Sequence, residues 1–331
     1  MCIALISTAH PAYPLILLSN RDEFLNRPTA PAQWWSSPHS HVLGGRDLQR
    51  AEQGTWLAIT KQGRIAVLTN FREEGDTYHT ADKSRGAIPN AYVTQPPERK
   101  EGSEDFARRL IEEVGVGDVG GFSLVFGELR PWELKDGARE FPGLSIVSNR
   151  SVKADDLVTI ATAEGETHGL SNSHFGDRSW PKVVHGEELL NAAIEDDFKD
   201  GNRDQSGFAE RLFEILSIDK LPKRKQGEAW DTYVRQMRNS ILIPPVGGIS
   251  AESKPADSMA SGKDGVDTPD RGNVEVREFG YGTQKQTVVL VDNTGRVKFI
   301  ERTLYDQEGR TVRVKDGQRE FTFEIEGWQD P

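Results

Sequence analysis

One cysteine is present among the 331 residues, and it follows the initiator methionine directly as Cys2. A methionine followed by so small a residue is normally removed in cells, which would leave Cys2 with a free α-amine beside its thiol. An α-amine titrates near about pH 7.7–8.0 and a thiol near about 8.5, so the amine can act as base to its own nucleophile. The alternative is an incidental buried cysteine on a first strand, because free cysteine often behaves as a small hydrophobic residue.

The polar tetrapeptide Asn20–Glu23 follows a short apolar run directly. Alternation along a strand sends Arg21 to one face and Asn20 and Asp22 to the other. If this strand forms a hairpin with the Cys2 strand, Asp22 or Asn20 can hold the α-amine, while Arg21 favours the thiolate by opposite charge. The alternative is a strand-terminal turn whose carboxylates cap the residues that follow.

Two asparagines stand where an amide could donate to a developing oxyanion. Asn70 ends a predicted hairpin, and Asn172 follows a strand and precedes a predicted helix. Removing one such donor from a preorganised site costs about 3–4 kcal/mol of transition-state stabilisation. The alternative, which is the more frequent role of an isolated asparagine, is an Asx-turn or a helix cap.

Three tryptophans are candidates for contact with a ligand. Trp34 and Trp35 are adjacent and flanked by prolines and histidines, so they could wall an apolar pocket or equally pack in the core. Trp56 ends a glycine-punctuated stretch that could approach a ligand closely. This stretch lacks both the GxGxxG and the P-loop patterns, so it is a weak phosphate-binding signal.

Composition excludes several classes of function. The formal net charge is −11, from 52 acidic and 41 basic residues, which argues against nucleic-acid binding. A single cysteine excludes an intramolecular disulfide and CxxC zinc motifs, and the histidines lack HxxxH spacing, so neither a metal nor a cofactor is expected. No apolar run reaches the roughly 18–20 residues of a membrane span, and no basic region precedes the first apolar runs. We expect a cytoplasmic protein whose membrane association, if any, is peripheral.

Hydrophobic periodicity predicts hairpins at both ends of the chain with helices between them. The predicted strands are Cys2–Ser7, Leu15–Ser19, Thr55–Thr60, Arg64–Thr69, Phe122–Gly127, Leu144–Val147, Val158–Ala161, Gln286–Asp292, Arg296–Glu301 and Glu320–Ile325. The predicted helices are Glu104–Val114, Pro181–Ile194 and Gly207–Leu216. This order favours an α+β layering of antiparallel sheets and helices over an alternating βαβ sheet.

One segment departs from this pattern. Residues 250–273 are almost devoid of apolar side chains and cannot offset the chain entropy lost on ordering. We predict a disordered insertion within a single domain that spans residues 1–331.

Seven sequence blocks in one order resemble the NRDE family, and the likeness extends from Met1 to about Thr303. The blocks are MCIALI, SNRDEF with NRPT, GGRD with GTWLAI, AVLTNFRE, SRG, HGLSNS with WPKV, and YGTQKQTVVLVD with FIERT. Members of this family resemble N-terminal-nucleophile hydrolases with an N-terminal cysteine, such as bile-salt hydrolase and penicillin V acylase. The resemblance implies a four-layer αββα sandwich.

The resemblance also implies roles for individual residues. Cys2 would be the nucleophile, Arg21 and Asp22 would orient it, and Asn70 and Asn172 would donate to the oxyanion. In the related hydrolases the arginine and the aspartate are separated along the strand, whereas here they are adjacent, so Asn20 could replace one of them. The resemblance further implies a role in Golgi organisation and protein secretion, with Golgi-associated or mitochondrial localisation.

Two functions therefore have to be distinguished. The first is an amidohydrolase or thioesterase that acts on a small-molecule acyl substrate through Cys2. The second is a non-catalytic carrier of a lipid-like or porphyrin ligand, which the cluster Trp34, Trp35 and Trp56 would line. Fold alone does not decide between them.

Overall fold

A computed structural model describes residues 2–70, 84–99, 101–114, 119–151, 153, 157–201, 204–225, 227–247 and 280–328. The predicted insertion at 250–273 lies outside these ranges, so its disorder and the single-domain organisation stay predictions. The strands are β1 (Ile3–Ser7), β2 (Leu15–Phe24), β3 (Thr29–Trp34), β4 (Val42–Asp47), β5 (Leu57–Thr60), β6 (Arg64–Asn70), β7 (Phe122–Glu128), β8 (Glu133–Lys135), β9 (Ala138–Glu140), β10 (Leu144–Ser148), β11 (Val158–Ile160), β12 (Thr167–Leu170), β13 (Tyr281–Val291), β14 (Arg296–Thr303) and β15 (Gln318–Glu324). The helices are α1 (Ala87–Val93), α2 (Ser103–Arg109), α3 (Pro181–Lys199), α4 (Gln205–Leu216), α5 (Trp230–Gln236) and α6 (Val314–Gly317), with a π turn at Leu110–Val114 and a 3₁₀ turn at Met237–Asn239.

The first sheet has the strand order β12-β1-β2-β13-β14-β15, and each neighbouring pair is antiparallel. The β1–β2 and β13–β14 hairpins are the ones predicted from the sequence. Strand β13 pairs with β2 along its whole length, from Tyr281 opposite Phe24 to Val291 opposite Leu15. The N-terminal hairpin is therefore flanked by β12 from the middle of the chain and by β13 from its C-terminal part.

The second sheet has the order β11-β10-β7-β6-β5-β4-β3 and is also antiparallel. Its β5–β6 hairpin turns at Gly63, which has φ +87°. Glycine adopts this left-handed conformation without steric cost. Strand β3 lies at the sheet edge. Pro31 has no backbone N–H, and at an edge this loss breaks no hydrogen bond between central strands.

Three buried clusters of side chains divide the fold into layers. One cluster lies between the two sheets, a second packs the first sheet against α3 and α4, and a third packs the second sheet against α1 and α2. Because each strand alternates, neighbouring residues of β2 enter different clusters: Leu17 faces the other sheet and Leu18 faces the helices. The predicted four-layer αββα sandwich is confirmed.

The two longest helices begin where the sequence signals a helix start. Pro181 is the first residue of α3, a position where its missing N–H withdraws no helical hydrogen bond. Asp204 caps α4 by accepting a hydrogen bond from the Ser206 backbone N–H. The apolar stripe of α4, which includes Phe208 and Leu212, is fully buried against the first sheet.

Strand β2 is longer than its apolar residues indicate. The predicted strand stops at Ser19, whereas β2 continues to Phe24 through the polar tetrapeptide. The extension has a partner on each side at Asn20, which lies opposite Ile3 of β1 and Gln286 of β13. These polar side chains are therefore held in the sheet, and the interpretation of the segment as a strand-terminal turn is wrong.

Candidate active site

The buried polar residues of β2 point in alternate directions. Asn20, Arg21 and Asp22 are all buried. Arg21 shares its face with Leu17 and lies between the sheets, whereas Asn20 and Asp22 share theirs with Leu18 and lie on the helix side. Adjacent residues of β2 therefore face two different layers of the fold.

Cys2 is the residue immediately before β1 and lies alongside Arg21 of β2. Ile3 is opposite Asn20, so the next position in the register sets Cys2 against Arg21. The thiol is free and only 7% exposed, and its Sγ lies 3.7 Å from the carbonyl oxygen of Asp22. The Cys2 carbonyl accepts a hydrogen bond of 2.7 Å from Ser171 Oγ.

The Arg21 guanidinium is fixed by three contacts between the sheets. It donates to Gln284 Oε1, and its Nη2 donates to Asp47 Oδ2 at 3.0 Å. Its plane lies over the Trp56 ring, 4.6 Å from the centroid. A planar cation held by an amide, a carboxylate and an aromatic face has one orientation. Arg21 is therefore a fixed positive charge on the strand beside Cys2.

Asp22 lies on the helix side with a buried lysine. Its Oδ1 accepts a 2.7 Å hydrogen bond from the Thr283 hydroxyl, and its Oδ2 lies 3.9 Å from Lys182 Nζ. The Lys182 side chain is 0% exposed. Burial lowers the pKa of Lys182, while its electrostatic interactions with Asp22 and Cys2 act in the opposite direction. The carboxylate and the ammonium thus flank the start of β1.

Asn20 is placed by contacts with the protein's own backbone. Its Nδ2 donates to the carbonyl oxygens of Leu216, at 2.8 Å, and Ile241, at 2.9 Å. These bonds tie β2 to the end of α4 and to the segment after α5. Substrate binding by Asn20 stays a prediction.

The two asparagines expected at the oxyanion lie in different settings. Asn172 is buried next to Ser171, the residue that holds the Cys2 carbonyl, and so lies in the immediate surroundings of the thiol residue. Asn70 pairs with Phe122, whose side chain packs on the helix side of the second sheet. Paired residues of antiparallel strands share a face, so the Asn70 side chain points away from the interior between the sheets.

The tryptophans do not form one cluster. Trp35 packs on the helix side of the second sheet and donates from Nε1 to the Gly44 carbonyl at 3.0 Å. Trp34 packs against the interior cluster and contacts Phe323 edge to face, with 5.0 Å between centroids. Trp56 alone touches a residue beside Cys2, through its stacking on Arg21. Ligand contact by these tryptophans stays a prediction.

Two cations near Cys2 were not identified as site residues by sequence reasoning. Lys182 is one, and Arg85 is the other. Burial lowers the pKa of Arg85, and its electrostatic interactions with Glu23 and Cys2 offset this only in part. Both stand in sequence blocks quoted for the family, SRG and WPKV. A basic residue inside such a block was the available signal, although nothing in the sequence shows that α3 brings Lys182 to β1.

A polar cleft opens beside this arrangement. It has a volume of about 110 Å³ and is lined by the loop after β12 and the start of α3, including Ser171, Ser173, His174 and Val183. The thiol, the flanking charges and the asparagine amide are the groups that acyl transfer requires: a nucleophile, charges that orient it and a donor for the oxyanion.

The described residues include no group of three or more His, Cys, Asp and Glu side chains arranged to hold a metal ion. Among the helices that the structure describes, none is both long and apolar enough to cross a membrane.

Residues 1–306 match the protein family described as Transport and Golgi organisation 2. The chain is 27% identical to an uncharacterised protein of Saccharomyces cerevisiae, with 98% of this chain and 99% of that protein covered. It is 25% identical to the Transport and Golgi organization 2 homolog of Mus musculus, with 95% and 94% covered. It is 27% identical to Transport and Golgi organization protein 2 of Drosophila melanogaster, with 88% and 87% covered.

Similar solved structures include three enzymes. They are an N-acylethanolamine-hydrolyzing acid amidase ortholog from Caenorhabditis elegans (TM-score 0.38, 10% identity, 67% of this chain and 88% of that one), a conjugated bile acid hydrolase from Clostridium perfringens (0.33, 10%, 99% and 98%) and penicillin V acylase from Agrobacterium tumefaciens (0.33, 12%, 99% and 100%). At this degree of likeness, the function of the chain has to be inferred from its own residues.

Proposed function

The chain belongs to the Transport and Golgi organisation 2 family, and from its Cys2 site we propose that it is an N-terminal-cysteine hydrolase of amide or thioester acyl bonds. The observation that supports the proposal is the setting of the chain's one cysteine. Cys2 immediately precedes strand β1 and lies next to Arg21 and Asp22 of β2. The buried Lys182 lies against the Asp22 carboxylate, and Asn172 is beside Ser171, which holds the Cys2 carbonyl. An incidental core cysteine needs only apolar neighbours, whereas this one lies among charges.

The first step is attack of the Cys2 sulfur on the acyl carbonyl carbon. After removal of Met1, the α-amine of Cys2 takes the thiol proton as the C–S bond forms. The tetrahedral intermediate then collapses, the bond to the leaving amine or thiol breaks, and the α-ammonium returns the proton to that leaving group. Water attacks the resulting acyl thioester in the same way, releasing the carboxylic acid and restoring the thiol.

The neighbouring residues have separate tasks in this scheme. Arg21, held by Asp47 and Gln284, supplies a fixed positive charge beside the sulfur. Asp22 orients the N-terminus. Asn172 donates its amide to the oxyanion that forms when the carbonyl is attacked. The scheme gives Asn70 no such task, because its side chain lies on the helix side of its sheet, away from Cys2.

The names of the mouse and fruit-fly relatives connect those proteins with transport and Golgi organisation. We propose that the acyl hydrolase serves the same setting here, with protein secretion as the process that depends on it.

A non-catalytic carrier is the alternative. A carrier of a lipid-like or porphyrin ligand needs an apolar cavity of about 300 Å³ or more. An apolar cavity lined by Leu15, Leu144 and Trp328 has a volume of about 30 Å³, which is too small for such a ligand. The charged surroundings of Cys2 support the hydrolase instead.

The test combines the mature N-terminus with the reactivity of the thiol. We expect mass spectrometry of the purified protein to find cysteine as the first residue with a free amine. We expect iodoacetamide to modify it faster than free cysteine at pH 7. Because Cys2 is the one cysteine of the chain, no other thiol contributes to the alkylation. Retained or acetylated Met1, or a thiol of ordinary reactivity, would falsify the hydrolase proposal.

The matched variants are Cys2→Ala and Cys2→Ser. We expect p-nitrophenyl acetate to acylate the native protein at residue 2, as seen by an added acetyl mass, and to leave Cys2→Ala unmodified there. If Cys2→Ala rescues a secretion defect in cells as well as the native protein does, the result would favour the carrier instead.

A further inference from the structure

Thr69 carries a buried hydroxyl that has no hydrogen-bond partner in the described part of the chain. Thr69 is only 1% exposed. Among the described residues, no hydrogen-bonding group lies within reach of its Oγ1 atom. A buried hydroxyl left unpaired costs about 1–3 kcal/mol. Most buried polar side-chain atoms in proteins have a partner, so an exception in a central strand requires an explanation.

The Thr69 side chain points into the interior between the sheets. It pairs with Ser123 of β7, while two residues earlier the pair Val67–Val125 packs in the interior cluster. Residues two apart on a strand share a face, so Thr69 and Ser123 lie on that same interior face. The next residue, Asn70, lies on the opposite face of the sheet.

A chain of contacts sets Thr69 at the Cys2 end of the sandwich. Ser123 Oγ lies 3.4 Å from the Ser173 carbonyl oxygen, to which it donates. Two residues earlier, Ser171 donates to the Cys2 carbonyl. Strand β6 also approaches β1 across the space between the sheets. The strand neighbour of Thr69 and the thiol residue therefore both contact the loop that follows β12.

We propose that Thr69 is a catalytic residue that donates its hydroxyl hydrogen to the carbonyl oxygen of the acyl substrate. The inference depends on the proposed function, because it concerns the same reaction at Cys2. Attack by the sulfur turns the carbonyl oxygen into an oxyanion, and the hydroxyl supplies a hydrogen bond without transferring its proton. In a buried site such a donor is fixed in advance and gains most when the negative charge forms.

The decisive comparison is acylation against alkylation of the same sulfur. Acylation of Cys2 by p-nitrophenyl acetate passes through an oxyanion, whereas alkylation by iodoacetamide does not. For Thr69→Val, which removes only the hydroxyl in a side chain of the same shape, we expect the acylation rate to fall about 10²-fold, as for loss of one oxyanion donor. We expect its alkylation rate to stay within twofold of native, and Thr69→Ser to restore acylation to within a fewfold.

Thr60→Val is the matched control. Thr60 is a buried threonine at the opposite end of the β5–β6 hairpin, and its Oγ1 accepts the Arg64 backbone N–H at 3.1 Å. We expect this variant to be less stable with an unchanged ratio of acylation to alkylation. Thr69→Val is expected to be as stable as native, because it removes an unpaired polar group. A lowered ratio in the less stable control would overturn the proposal.

The two levels of the proposal fail in different ways. If Cys2 is acylated in native protein and Thr69→Val is acylated equally fast, the role of Thr69 is refuted and the hydrolase stands. If native Cys2 is alkylated but never acylated, the hydrolase itself is refuted, and the role of Thr69 is refuted with it.

Discussion

The stacking of Arg21 on Trp56 depends on a residue without a side chain. A Cβ atom at Gly45 would overlap the Trp56 ring and would lie 3.2 Å from Glu301 Oε2. Both neighbours are buried, and Glu301 is fixed further by the Ala32 backbone N–H, which donates to its Oε1 at 2.8 Å. Gly45 therefore allows an indole, a guanidinium and a carboxylate to share one small volume between the sheets.

For this reason we expect Gly45→Ala to lower the free energy of unfolding by about 1–3 kcal/mol, the usual cost of overpacking a core. Urea unfolding followed by tryptophan fluorescence measures it. Gly102→Ala is the control, because its added Cβ would meet only Asp105 Oδ2 at 3.9 Å. Gly102 is the N-cap of α2, where alanine is less favourable than glycine, so we expect that control to lose no more than about 1 kcal/mol. Equal stability of the two variants would contradict the packing argument.

At the level of elements, the pairing of β2 with β13 contains one irregularity, and it lies at the site. Thr283 is opposite Asp22 and Lys285 is opposite Arg21, so Gln284 is an extra residue in β13. A bulge of this kind redirects a side chain and is frequent next to active sites. Here it turns the Gln284 carboxamide toward the Arg21 guanidinium.

Replacement of Gln284 should therefore loosen Arg21. The Gln284 amide also donates to the carbonyl oxygens of Leu25, at 3.4 Å, and Arg27, at 3.3 Å. We expect Gln284→Leu to lower the free energy of unfolding by about 2 kcal/mol, because a buried charged donor loses its acceptor. Thermal unfolding measures this loss.

The same variant should slow modification of Cys2 by the anionic reagent iodoacetate more than modification by neutral iodoacetamide, because the positive charge is no longer fixed beside the sulfur. Gln33→Leu, an exposed glutamine on edge strand β3, serves as control and should change neither stability nor the ratio of the two rates. An unchanged ratio in Gln284→Leu would show that the bulge does not position Arg21.

At the level of the whole molecule, buried histidines connect folding to pH. His10 Nδ1 accepts the Ala12 backbone N–H at 3.0 Å, so the proton is on Nε2, which donates to Asp197 at 3.2 Å. Burial lowers the pKa of His10, although the hydrogen bond to Asp197 and its charge raise it in part. Burial lowers the pKa of His41 as well.

Both histidines make the unfolded chain bind more protons than the folded one below about pH 6.5. Stability is therefore unaffected by them above that pH and is lost as the pH falls from about 6.5 toward their folded-state pKa values. We expect the melting temperature to fall between pH 7 and 5, and to fall less in His10→Gln. His174→Gln, which changes an exposed histidine, should follow the native curve. A native melting temperature that rises over this range would refute the argument.

Much of the fold could be predicted from the sequence, because periodic apolar runs decide which segments become strands and helices. The hairpins, helices α3 and α4, the layering and the family resemblance are confirmed. Strands β3 and β4 were not predicted, because Pro31 in β3 and the two glycines in β4 hide their alternation. The end of β2 was predicted too early, since the pairing that buries its polar residues comes from β13, more than 250 residues later.

The sequence by itself determined that one thiol stands at the start of the chain and that Arg21 and Asp22 face opposite ways, because these follow from position and from strand geometry. Only the tertiary structure decided which other groups surround that thiol. Lys182 and Gln284 reach its strand pair from distant elements, and Thr69 rather than Asn70 points to its side of the sheet. The physical reason is that alternation sets a side chain's face within its own strand, whereas its neighbours depend on which distant strands and helices are buried against it.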